Sequence, residues 1–430
     1  MSKEIKNITN SKILLKNGEL LNVKNGKKSK KDILIQNGKI IEIGKIDKNE
    51  NYDIIDCDKK IITQSFIDIH THLKVPGIGD QETLSSGANA ALAGGYSKIC
   101  VMPDTNPITD NPELIKFILN ESKNLPIDLH PIGAITKQLK GVDIAELGLM
   151  IKSGAVAISD ANMPIMNSQV VRYAMEYAKM FNVPFINNPQ NLDLVNKGVM
   201  NESTISNSLG LSGNPTIAET VMVYRDLEIA NFINGKIHIP NITCKESINI
   251  IDSFKNKNTD VTCEVTPHHL FFTDSDLETY DTNFKISPPF RGEINRKSLI
   301  NGVKNGLIDC VASSHNPVRY DDKDKDFYHA DYGVISLESA FAVTHTILRK
   351  HNVEIEQILN LFSLNPSKIM NLSLCDMKIG SDVELVIIDP NKEWTFTKSN
   401  ILSKSHNSPF INQKLKGKID FTINKNFLFG

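Results

Sequence analysis

Residues 64–104 read QSFIDIHTHLKVPGIGDQETLSSGANAALAGGYSKICVMPD. Two short apolar runs, QSFIDIHTH (64–72) and YSKICVMPD (96–104), flank a stretch with helical spacing, and each run closes on polar residues. Strand and helix alternating at this length build a parallel sheet. The unit then recurs. Further runs are IDLHPIGAI (127–135), GAVAISD (154–160), VPFINN (183–188), KIHIPNI (236–242), DVTCEVTPHH (260–269) and LIDCVASSH (307–315). Helical patterns separate them, among them NPELIKFILNESKNL (111–125) and NSQVVRYAMEYAKMF (167–181). Eight β/α units over roughly 300 residues predict a closed (β/α)₈ barrel of the α/β class rather than an open doubly wound sheet.

Outside the repeats both ends of the chain are β-rich. SKILLKNGELLNV and KDILIQNGKIIEIGKI carry Asn-Gly pairs that favour tight hairpins, and SDVELVIIDP and KLKGKIDFTINKNFLFG close the chain. The basic stretch KNGKKSKK (24–31) reads as a solvated hairpin tip. The expected division is 1–60 (β), 61–372 (barrel) and 373–430 (β).

With 48 Lys+Arg against 50 Asp+Glu the formal net charge is −2, which argues against nucleic-acid or anionic-membrane binding. No apolar run is long enough to span a bilayer, and the start MSKEIKNITN has no apolar leader core. Six scattered cysteines without a CxxC pair complete the expectation of a reduced, cytoplasmic protein.

The functional face of such a barrel is the C-terminal end of its strands. The side chains expected there include His70, His72, Asp104, Asp160, Asn187, Asn188, Asn241, His268, His269, Ser314 and His315. His70 and His72 are two apart on one strand, so both imidazoles face the same side and suit a divalent transition metal.

FIDIHTHLKVPG, followed by ETLSSGANAALAGGYSKICVMPDTNP, resembles the amidohydrolase superfamily, and within it the bacterial dihydroorotases. The resemblance continues through LVNKGVMNE (194–202), EVTPHHL (264–270), SPPFR (287–291), SLESAF (336–341), NPSKIMNL (365–372) and SKSHNSPF (403–410). It implies that the two β-rich ends pair into a small sandwich beside the barrel. It also implies interconversion of carbamoyl aspartate and dihydroorotate, with zinc at the barrel mouth polarising the amide carbonyl and supplying hydroxide.

Matched position by position, the resemblance assigns His70, His72 and Asp160 to metal, and Lys74 and Asp104 to substrate. Elsewhere the chain departs from the pattern. Asn188 stands where the family has its strand-5 histidine, Asn241 where it has its strand-6 histidine, and Ser314 where it has the strand-8 aspartate that acts as base. Lys74 replaces an arginine and loses the bidentate fork, Asp104 replaces an asparagine and would repel an anion, and Ser287 replaces another asparagine.

An amide is a poor zinc donor beside imidazole, so at most one weakly held zinc is expected. A serine hydroxyl is not a proton acceptor near neutrality, and losing a general base costs about 10²–10⁴ in rate. The expectation is therefore a homo-oligomeric dihydroorotase-like protein whose catalysis is lost or strongly impaired. Its implied role is structural or regulatory, alongside aspartate carbamoyltransferase in pyrimidine biosynthesis. The alternatives are a one-metal cyclic amide hydrolase (dihydroorotase, or allantoinase- or hydantoinase-like) and a non-enzymatic scaffold, which no residue specifically supports.

Overall fold

The first barrel strand, Phe66–Thr71, is apolar and fully buried, as a strand covered on both faces must be. A computed structural model describes residues 4–47, 49, 51–77 and 79–430. Part of the leader reading, at Met1–Lys3, lies outside the described residues. The eight strands are Phe66–Thr71, Tyr96–Val101, Asp128–Pro131, Ile158–Ser159, Phe185–Ile186, Ile237–Ile239, Val261–Val265 and Cys310–Val311. The first three pair in parallel with the second at the centre, and the remaining five pair in parallel in chain order. Parallel bridges Gly133–Ile158 and Thr71–His315 join the two groups at both seams. The sheet is thus closed, as the strand count predicted.

Helices begin where the sequence supplies caps. Asn111 accepts the Leu114 N–H at 3.1 Å at the head of Pro112–Glu121, and Pro112 fills the first turn, where a missing N–H costs nothing. Thr83 and Ser86 form a capping box at Leu84–Ala93. At the far end from the mouth, Phe66 and Tyr96 pack with Phe341 and Phe362 of the helices Ala340–Lys350 and Ile355–Phe362. These ring centroids lie 5.2–6.5 Å apart.

Both chain ends do pair. A seven-stranded sheet runs Ile5–Asn7, Phe427–Phe429, Lys414–Asn424, Glu384–Thr395, Ile61–Gln64, Glu19–Asn22 and Lys27–Lys30. A four-stranded sheet runs Lys39–Gly44, Asp32–Gln36, Lys12–Lys16 and Asp53–Asp56. Their shared core includes Ile13, Leu15, Ile33, Ile35, Ile62, Leu385 and Ile387. Ile61–Gln64 pairs with Leu385–Ile388, so this sheet runs past residue 60 and the first barrel strand follows from Phe66.

The two Asn-Gly pairs behave differently. Asn37-Gly38 makes the expected two-residue turn, with φ 51° and 69° and Gln36 facing Lys39. Asn17-Gly18 instead carries the chain from one sheet to the other. A Cβ on Gly18 would meet the Ile62 side chain at 2.4 Å, so this glycine is there for close approach. The basic stretch is not only a tip: Lys27–Lys30 is an exposed edge strand, and Lys28 pairs with Glu356. Positive charge on an open edge discourages pairing with another chain. All six cysteines are free and buried. Among the described residues no helix is long and apolar enough to cross a membrane.

Candidate functional site

The mouth holds a cavity of about 380 Å³ whose lining includes Lys74, Asp104, His268, Ser287, Ser314 and Tyr332. Lys74 and Asp104, the two residues expected to meet substrate, therefore share it. The Lys74 ammonium has one long contact, 3.5 Å to the Pro317 carbonyl. Residues 331–334, from the loop after the last strand, close one side. That loop is pinned from behind by two buried lysines bonded to main-chain carbonyls. Lys285 donates to Tyr328 and Ala330, and Lys323 donates to Thr282 and Lys285.

His70 and His72 come together as their spacing predicts, with the two Nε2 atoms 3.2 Å apart. Each ring's other nitrogen is held by a carboxylate. His72 Nδ1 donates to Asp104 at 2.8 and 2.9 Å, and His70 Nδ1 donates to Glu264 at 2.5 Å. Histidines that ligate metals are typically oriented in this way. Two nitrogens each about 2.0–2.1 Å from a tetrahedral ion would themselves be about 3.3 Å apart. The pair therefore fits as two ligands of one ion.

The electrostatics follow from the same contacts. Burial works to lower the pKa of His70, but Glu264 outweighs it and the pKa is raised. Burial prevails at His72, helped by His70 and Lys74, and its pKa is lowered. Asp104 is half-buried, which would raise its pKa, yet His72 and Lys74 hold it below the usual carboxylate range. A carboxylate so stabilised is a weak base, so Asp104 is a poor substitute for the missing strand-8 aspartate. In Glu264 the two imidazoles overcome burial and hold the carboxyl down at about 2.

Asp160, expected as the third ligand, is held by the loop after the third strand. Its carboxylate accepts the N–H groups of Ile135 at 2.8 Å and Thr136 at 2.9 Å, together with the Thr136 hydroxyl. Burial pushes its pKa up to about 6. Both oxygens are committed to the loop after the third strand. Among the described residues the one group of three His, Cys, Asp or Glu ligand atoms within 4.8 Å of one another is His238, Glu264 and Cys310.

The substituted positions are also tied up. Asn188 Nδ2 donates to the Asn162 carbonyl at 2.8 Å, and Asn241 Nδ2 lies 3.4 Å from Ser314 Oγ. Asn187, its neighbour, accepts from Ile165 and donates to Asp226. Asn241 Oδ1 and His268 Nδ1 are buried without a partner. His269 is structural, held by Thr266 and the Pro288 carbonyl. His315 turns away from the mouth, accepting the Ser336 N–H at 3.2 Å while its Nε2 lies 3.4 Å from Glu82. It is therefore no replacement base. These residues suit one ion through His70 and His72. When bound, such an ion supplies Lewis acidity and an activated water.

Sequence reasoning passed over Glu264, although it stands in the quoted EVTPHHL. The available signal was one acidic residue inside the apolar strand VTCEV, since a charge that deep must be paired.

A closed eight-stranded barrel flanked by a sandwich of both chain ends, with a His-x-His pair at the mouth, defines an amidohydrolase-superfamily protein. Solved structures agree on the fold. An L-hydantoinase (dihydropyrimidinase) from Arthrobacter aurescens superposes with TM-score 0.84 at 20% identity, covering 97% of this chain and 95% of that one. A D-hydantoinase (dihydropyrimidinase) from Thermus sp. gives 0.79 at 20% identity, covering 96% and 94%. Sequence comparison narrows the family. Residues 59–247 match the family described as dihydro-orotase-like. A dihydroorotase of Caldicellulosiruptor saccharolyticus is 38% identical over 415 residues, 96% of either chain. One of Aquifex aeolicus is 38% identical over 416 residues, 96% of this chain and 97% of that one. A third, of Geobacter sp. (strain M21), is 35% identical over 415 residues, 96% of this chain and 98% of that one. The chain belongs to the dihydroorotase family.

Proposed function

We propose that this chain serves pyrimidine biosynthesis as a dihydroorotase-family protein that does not run the ring chemistry at enzymatic speed. Its role is structural or regulatory, and the partner implied by resemblance is aspartate carbamoyltransferase. One observation carries the reading. At the ends of the fifth, sixth and eighth strands stand Asn188, Asn241 and Ser314, bonded to each other or to main chain. None of them is a proton acceptor at neutral pH or a strong zinc donor. Asp104 and His315, the nearest alternatives, are already engaged.

The test is turnover of dihydroorotate and carbamoyl aspartate by purified, zinc-supplemented protein, with co-purification against aspartate carbamoyltransferase. Turnover is expected at least 10²-fold below that of an intact family member, the low end of what a missing base costs. Ordinary turnover sinks the non-catalytic reading, and failure to co-purify removes the partner.

A second reading has its own support. The His70–His72 pair, 3.2 Å apart and backed by two carboxylates, favours a one-metal cyclic amide hydrolase. Stoichiometric zinc together with hydrolysis of dihydroorotate, hydantoin or allantoin would establish it.

A further inference from the structure

Glu264 lies inside the barrel on the seventh strand, 1% exposed. Its two oxygens are shared between two imidazoles, His70 Nδ1 at 2.5 Å and His238 Nε2 at 3.1 Å. His238 is held in turn by Thr262 Oγ1, 2.8 Å from Nδ1. This chain of contacts fixes the protons. A carboxylate accepts only, so His70 carries a proton on Nδ1 and His238 carries one on Nε2. Thr262 Oγ1 closes the far end of the chain at His238 Nδ1. Nothing in that arrangement is left unmatched, and the end of it that reaches the mouth is the Nε2 edge of His70.

Cys310 is the other group within reach, its sulfur within 4.8 Å of the His238 and Glu264 ligand atoms. Both Glu264 oxygens are already bonded to imidazole. The three residues therefore form a packed layer beneath the mouth rather than a second ion site.

We propose that Glu264, braced by His238, is a positioning residue that keeps the Nε2 edge of His70 turned toward a divalent cation at the barrel mouth. The proposal rests on His70 and His72 as a surviving donor pair and makes no claim about hydrolysis. A carboxylate behind a ligating histidine fixes its tautomer and raises its basicity, and removing such a group typically costs 10–100-fold in metal affinity.

The experiment is a titration of metal-free protein with Co²⁺, read by the visible d–d bands and by calorimetry, for wild type, Glu264→Gln, His238→Gln and His72→Ala. Glutamine keeps the shape of Glu264 and can still bond both rings, but it removes the charge. Glu264→Gln is expected to bind Co²⁺ 10–100-fold more weakly while the metal-free protein, less stable for the loss of the charge, still unfolds cooperatively. His238→Gln, which leaves the carboxylate but loosens its support, is expected to show a smaller loss. His72→Ala is expected to abolish the bands. ¹⁵N histidine spectra of the metal-free proteins give a second readout that needs no metal. His70 should be a single Nδ1–H form in wild type and a mixture in Glu264→Gln. Unchanged Co²⁺ affinity in Glu264→Gln overturns the proposal. So does a wild type that binds no Co²⁺, or a His70 tautomer indifferent to Glu264. Dihydroorotate turnover, measured separately, bears on the proposed function and leaves these outcomes untouched.

Discussion

The two sides of the barrel mouth have fared differently. On one, His70, His72, Asp104 and Glu264 form a continuous run of contacts between 2.5 and 3.2 Å, buried except at Asp104. On the other, Asn188, Asn241 and Ser314 make weaker or main-chain bonds, and one amide oxygen has no partner among the described residues. The backbone does not share the difference. Lys74, Ala161, Asn241 and Ser314 all hold positive φ, between 48° and 56°, around the same mouth. Left-handed backbone at non-glycine residues costs energy and persists only where surrounding packing enforces it. The side chains of the two halves differ while one strained backbone frame carries both. A frame packed from every side is hard to alter piecemeal. A polar tip facing a cavity is easy to exchange.

The sharpest way to break this comparison is to refill the altered half. The triple variant Asn188→His, Asn241→His, Ser314→Asp restores two imidazoles and a base on an unaltered frame. Zinc content by elemental analysis is expected to rise to two per chain, and dihydroorotate turnover by about 10²–10⁴-fold, the usual contribution of a positioned base. Histidine tolerates the left-handed backbone at 241 better than most residues. No gain in either quantity would show that the frame, too, has lost its function.

A second prediction concerns stability. Glu264→Ala strands two buried imidazoles, and breaking a buried charged pair from one side costs about 3–5 kcal/mol. Urea unfolding of the metal-free protein should show that loss. A cost below 1 kcal/mol would mean the run of contacts carries no structural weight.

How much of this was legible beforehand depended on the range of the interaction. The barrel strands could be read because their apolar runs are local and end on polar residues, and the His-x-His pair because its spacing is local too. The fate of Asp160 could not be read. Its partners, Ile135 and Thr136, sit on the neighbouring strand's loop, and nothing in GAVAISD says that the carboxylate will accept their N–H groups. Asn17-Gly18 misled for a related reason, since only Ile62, far along the chain, explains why the glycine is there. Glu264 was visible as a misplaced charge, but its partners His70 and His238 come from other strands.

Acid should separate the buried carboxylate from buried histidines elsewhere in the fold. Burial holds His269 and His345 down at about 4 in the folded chain, against about 6.5 when unfolded. Between those values the unfolded chain binds the protons, so this stability is complete above pH 6.5 and falls away as pH drops toward 4. Each histidine accounts for at most about 3 kcal/mol. Glu264 has the opposite chemistry and a lower window. Its carboxyl is held at about 2, so its contribution is present above the unfolded value near 4.5 and is lost only as pH falls toward 2. Urea midpoints between pH 8 and 2 should therefore fall in two stages, with Glu264→Gln lacking the second. A single transition common to both proteins would count against the buried carboxylate as a separate source of stability.

The smallest expected effect is at Ser314, and it tests the altered side most directly. Its backbone has φ 49°, which glycine adopts freely and serine does not. Its hydroxyl is met by Asn241 Nδ2 at 3.4 Å, long for a bond of this type. Ser314→Gly relieves the strain, gives up a weak contact and adds some freedom to the unfolded chain. These terms nearly cancel, so the variant should stay within about 1 kcal/mol of wild type, on the stabilising side. If Ser314 were still part of a working site, packed and bonded for a purpose, its removal would instead cost 1–3 kcal/mol through a stranded Asn241 amide. Chemical denaturation separates the two cases, and a loss of that size would place Ser314 with the donor side of the mouth.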